Sequence, residues 1–173
     1  KKQANELSGI DNIYYIEDFK AVLSSIATKV DTFYINKNEH YRANSPVETR
    51  EDRFISWLLK KYPAHNVAKS NPILQRQRSI KHPHEIDQIK RACEITSKGF
   101  NRVLKFIKPD VWEYEIEAEF IHEFINNSSK GFAYSPIIAS GNDNNVLHYI
   151  KNNKQCKSGE LILMDVGAEY GNY

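Results

Sequence analysis

The sequence predicts an α/β chain in two parts, on three observations. Short apolar runs alternate with helical spacing over residues 13–75, and a long amphipathic pattern opens at Pro83. Five of the seven glycines, at 131, 141, 159, 167 and 171, fall late in the chain, where they punctuate runs of strand character.

In the first part, Ile13–Ile16 and Thr32–Ile35 read as strands, and Phe19–Ala27 and Arg53–Lys61 as helices. The second of these helices carries Phe54, Ile55, Trp57, Leu58 and Leu59, an apolar face wide enough to need a sheet or another helix over it, and Pro63 ends it. Residues 72–84 turn polar, with Pro72, Gln75, Arg76, Gln77, Arg78, Lys81 and His82, and predict a connector rather than an element of its own. A domain boundary is placed there, giving domains 1–76 and 77–173. From Pro83, the spacing of Ile86, Ile89, Cys93, Thr96, Phe100, Val103 and Ile107 by threes and fours predicts one long helix on a core. Proline suits its first turn and Pro109 stops it. A second helix is predicted from Glu113 to Phe124, with Tyr114, Ala118, Ile121 and Ile125 on its apolar side. The glutamates at 113, 115, 117, 119 and 123 are expected to form a solvated face rather than paired catalytic acids. Strands are predicted at Tyr134–Ala139, Val146–Ile150 and Leu161–Val166.

Charge and hydropathy narrow the function classes. With 24 Lys plus Arg against 22 Asp plus Glu, the net charge of +2 lacks the basic excess of a nucleic-acid or membrane-surface binder. Mean hydropathy is −0.61, and no apolar run has the ~18 residues of a membrane span. Two cysteines, Cys93 and Cys156, make neither a disulfide framework nor a metal cluster, and a reducing, cytoplasmic setting is expected. Cys93 falls at a core spacing and Cys156 in a polar, turn-like stretch, and neither is assigned to catalysis. Lys1 stands where an initiator Met would, and the chain is expected to be cut at both ends.

Two residues near the end bear on chemistry. Asp165 lies in the otherwise apolar Leu161-Ile-Leu-Met-Asp-Val-Gly and is expected to be buried; such a carboxylate either binds a metal or a partner charge, or caps a turn near Gly167. His148, in Val146-Leu-His-Tyr, has by itself the surroundings of a hydrogen-bonded structural residue. Ser140 lacks the G-x-S-x-G elbow of serine hydrolases.

Taken together, Phe132-Ala-Tyr-Ser-Pro-Ile-Ile-Ala-Ser-Gly141, Leu147-His-Tyr149 and Lys157-Ser-Gly-Glu-Leu-Ile-Leu-Met-Asp-Val-Gly-Ala-Glu-Tyr170 resemble the metallopeptidases of the pita-bread fold, and among them the Xaa-Pro aminopeptidase (aminopeptidase P) family. Ile80-Lys-His-Pro-His-Glu-Ile-Asp-Gln-Ile-Lys-Arg-Ala-Cys93 is similar to the family's first catalytic-domain helix, and Leu7-Ser-Gly-Ile10 to a segment late in its N-terminal domain. The resemblance implies the rear part of an α/β N-terminal domain over 1–76 and the first part of a pita-bread catalytic domain over 77–173. It implies two divalent metal ions, usually manganese, held by two Asp, one His and two Glu. It also implies a peptide substrate with proline at its second position, and a homodimer. Asp165 matches the first metal-binding Asp, and the second is expected about eleven positions later, outside these residues. His148 matches a histidine on the substrate side of the site that does not bind the metals. Two divalent ions at close range repel, so one Asp does not hold the pair, and the 173 residues alone are expected to be inactive. The same architecture serves prolidases, which cleave dipeptides ending in proline, and binding proteins without peptidase activity, including metal-free creatinase. A methionine aminopeptidase fits less well because it needs no domain like residues 1–75.

Overall fold

A computed structural model describes residues 1–37 and 47–173. They divide into two compact units, Lys1–Ile80 and Lys81–Tyr173. This break lies within the polar 72–84 stretch and beyond position 76.

The first unit opens with helix α1 (Lys2–Ser8), which ends on Gly9 at φ 67, its N–H bonded to the Asn5 carbonyl at 2.8 Å. Ile13–Ile16 is not a strand. Tyr14, Tyr15 and Ile16 are exposed, no strand of the described residues pairs with them, and the chain tightens into a 3-10 turn, Ile16–Asp18, that feeds helix α2 (Phe19–Ala27). Strands β1 (Thr32–Ile35) and β2 (Asn66–Lys69) pair in parallel, from Thr32 opposite Asn66 to Ile35 opposite Lys69. Parallel neighbours need a long crossover, and helix α3 (Arg50–Lys61) lies on it. A capping box starts α3: Thr49 Oγ1 accepts from the Asp52 N–H at 3.1 Å, and Asp52 Oδ2 accepts from the Thr49 N–H at 3.1 Å. The Thr49 hydroxyl also donates to Asp52 Oδ2 at 2.8 Å, and that bond first, then the one from the Thr49 N–H, holds the Asp52 carboxyl below its ordinary value. Leu58 is the buried residue of α3, and elsewhere in the unit Phe33 stacks on His65 with ring centres 4.9 Å apart. The polar stretch after β2 corrects the connector reading. Asn71–Ser79 is helix α4, with Pro72 in its first turn. It buries no residue, so it carried no apolar stripe for periodicity to detect.

The second unit is built on helices α5 (Pro83–Phe106) and α6 (Glu113–Asn126). Gly99 lets them meet: a Cβ there would lie 2.7 Å from Phe124 Cε1 and 2.9 Å from Phe120 Cδ1. The buried face of α5 is Ala92, Ile95, Gly99 and Val103. Val103 is on the predicted stripe, and Phe100 and Ile107 pack against the core as expected, but the other three buried residues each lie one position before Cys93, Thr96 and Phe100, so Cys93 is exposed rather than a core residue. Cys156, read as part of a polar turn, is buried in the core with Ile95, Val103, Ile116, Phe120 and Phe124. α6 likewise turns Glu113, Ile116, Phe120 and Phe124 inward, while Tyr114, Ala118 and Ile125 are exposed. Strands β3 (Ile137–Ser140) and β4 (Ile162–Asp165) pair antiparallel, with Ile137 opposite Asp165 and Ser140 opposite Ile162. Val146–Ile150 forms no strand. Its backbone reaches φ 54 at His148, a left-handed angle that no strand accommodates.

Candidate metal and substrate site

β4 delivers Asp165. Its residues alternate in burial, Ile162 and Met164 half-buried and Leu163 and Asp165 exposed, as the two-residue period of a strand requires. The expected burial of Asp165 is therefore incorrect: an apolar run covered on one face leaves every second side chain outside. The carboxylate does not cap the turn at Gly167. Its Oδ1 accepts from the Tyr134 hydroxyl at 2.7 Å, and that bond, more than burial, raises the Tyr134 phenol above its ordinary value. Gly167 leaves room for this ring, since a Cβ there would come within 3.2 Å of Tyr134 Cε1.

His148 lies on the loop after the 3-10 turn Gly141–Asn145, exposed, at φ 54. Its neighbour Tyr149 is buried, and burial first, then the nearby Glu113 carboxylate, pushes that phenol from 10.0 to about 12. Glu113 overturns the solvated-face reading most directly, because its side chain has no exposed surface. Oε1 accepts from the Ser140 N–H at 2.8 Å and the Ser140 hydroxyl at 2.9 Å, and Oε2 from the Tyr149 hydroxyl at 2.8 Å and the Lys154 N–H at 3.0 Å. A buried carboxylate is tolerable when its lone pairs are filled in this way. In the same region the Lys154 ammonium donates to the Ser140 carbonyl at 2.9 Å. Nothing in the spacing of the α6 glutamates distinguishes Glu113. Its position at the helix start, where the chain turns inward, is the only local hint.

Asp165 and His148 thus occupy separate segments, each organised by a tyrosine, and no hydrogen bond or ion pair of the described residues joins them. A hard carboxylate oxygen suits a divalent ion such as manganese or zinc. Among the described residues, however, no group of three or more His, Cys, Asp or Glu is placed to hold a metal. Asp165 fits as one donor of such a centre and does not make the centre alone.

The second unit is thus a helix pair packed with an antiparallel ribbon that carries an exposed carboxylate at its end. The chain belongs to metallopeptidase family M24, whose profile matches residues 87–173. Over 99% of its length it is 28% identical to the Xaa-Pro aminopeptidase of Haemophilus influenzae, of which it covers 38%. Among solved structures it is similar to a candidate aminopeptidase P of Bacillus anthracis, with TM-score 0.87, 32% identity, and coverage of 98% of this chain and 40% of that one. It is also similar to a zinc-substituted Escherichia coli aminopeptidase P bound to product, with TM-score 0.83, 27% identity and coverage of 98% and 39%. The fold is that of the pita-bread aminopeptidases P, and the chain spans about two fifths of the length of these relatives.

Proposed function

We propose that these residues form the part of an Xaa-Pro aminopeptidase that contributes the first metal-binding carboxylate, Asp165, and the substrate-side histidine, His148. The observation that carries this reading is the exposed Asp165 at the end of β4, oriented by Tyr134, in a chain whose relatives along nearly its whole length bear that name. The reaction is release of the N-terminal residue from a peptide with proline second. Two divalent ions, manganese by preference, would supply Lewis acidity and an acidified water. The chain's own contributions are simpler. Tyr134 keeps one Asp165 oxygen engaged and so fixes the direction of the other, and His148 presents an imidazole to the peptide. A homodimer and a reducing, cytoplasmic location complete the proposal.

The complete protein is expected to release the first residue from a tripeptide with proline second, only when manganese is supplied, and to leave a dipeptide ending in proline intact. Cleavage of the dipeptide alone would make it a prolidase, and no cleavage of either would make it a binding protein. Asp165→Asn is expected to lower bound metal and activity together. His148→Ala is expected to depress turnover while metal content stays near normal, and equal loss of both overturns its substrate-side role. One carboxylate does not hold two mutually repelling ions, so the 173 residues alone are expected to bind manganese weakly and to show no turnover.

A further inference from the structure

His148 holds a left-handed backbone angle, φ 54, which residues with a side chain take up rarely, histidine more readily than most, and which its surroundings help to hold. The imidazole is exposed and does not supply that constraint. The next residue does: Tyr149 is 5% exposed, and its hydroxyl ends on the Glu113 carboxylate. Further along, Asn152 takes a second left-handed angle, φ 49, and its side-chain amide donates to Glu117 of the same helix. Lys154 then closes the loop onto the start of α6, its N–H donating to Glu113 and its carbonyl accepting from the Glu113 N–H at 3.0 Å. Asn152 therefore lies within the span that Glu113 grips at Tyr149 and at Lys154, and His148 lies immediately before that span. Tyr149 is thus anchored inward, while the adjacent His148 is exposed.

We propose that Glu113 is a positioning residue, holding the 148–154 loop through the Tyr149 hydroxyl in the left-handed turn that presents the His148 imidazole. The use of that imidazole toward a peptide rests on the function proposed above, whereas the positioning does not.

Tyr149→Phe deletes one hydroxyl and keeps the ring, leaving Glu113 three of its four donors, so the chain is expected to fold. In the chain labelled with carbon-13 and nitrogen-15 histidine, the His148 Cα and Cβ signals report the backbone angle. They are expected to move in Tyr149→Phe and in Glu113→Gln, while those of His65, His82, His84 and His122 stay in place. Unmoved His148 signals, or all the histidines moving together as in a merely structural role, overturn the proposal. In the complete protein, Tyr149→Phe is expected to lower kcat on a peptide with proline second by roughly tenfold or more, with a smaller change in KM. That loss is expected to vanish when His148 is already Ala, and additive losses count against the coupling. An unmodified complete protein with no peptidase activity would sink the functional reading, and the histidine signals would still decide the role of Glu113.

Discussion

Cys156 belongs to the core of the second unit, and burial, the largest influence, raises its thiol above the ordinary value while a hydrogen bond with Ser140 pulls the other way. Cys93 is exposed on α5. Thiolate is the reactive form, so a buried thiol with a raised pKa is doubly protected. Alkylation at neutral pH is expected to label Cys93 in the folded chain and Cys156 only after denaturation, as peptide mass mapping reads directly; equal labelling would contradict the burial. A raised folded value also fixes the sign of the pH effect. The contribution of Cys156 to stability is complete below the thiol's ordinary pKa and is lost as pH rises through the higher folded value. Cys156 lies outside any helix or strand, where no periodicity marks burial, and Cys93 was hidden because in a helix a shift of one position rotates a side chain by about 100°. Cys93 misses the buried stripe by that single step, next to Ala92.

Helices α5 and α6 meet where glycine replaces a side chain, and that contact is the weak point of the element pair. Gly99→Ala would press a methyl into the rings of Phe120 and Phe124, which are fully buried and have no open side to retreat to. Overpacking of this kind costs about 1–3 kcal/mol. Urea unfolding is expected to show a lower midpoint with an unchanged slope, and a neutral result would mean that the two rings swing aside. At this scale the sequence was most legible where an apolar stripe and a stop signal coincide. α2 over Phe19–Ala27, β1 over Thr32–Ile35 and the start of α5 at Pro83 follow from local pattern alone. α4 was not legible because it buries nothing, and Val146–Ile150 misled because its apolar residues Val146, Leu147 and Ile150 are exposed and only Tyr149 turns inward.

The two units differ in how much core each owns. Among the described residues, the buried hydrophobics of the first are Ala27, Ile35 and Leu58, whereas the second has a cluster running from Ile95 to Ala168. Local opening is governed by such buried contact. Backbone amides of α5, α6 and β3 are therefore expected to exchange with deuterium more slowly than those of α2, α3 and β1. Equal protection in the two sets would show that stability is not distributed as burial suggests. The sequence by itself determined the alternation of elements, the helix boundaries set by prolines, and the family resemblance carried by the Asp165 and His148 segments, because these reside in local spacing and residue type. Only the tertiary structure decided which face of each element is covered. It turned Asp165 outward against Tyr134, and it drew Ser140, Tyr149 and Lys154, remote from one another in sequence, onto the buried carboxylate of Glu113. Burial is a property of what lies opposite a residue in space, and a carboxylate that is solvated in one environment becomes the anchor of a loop in the other.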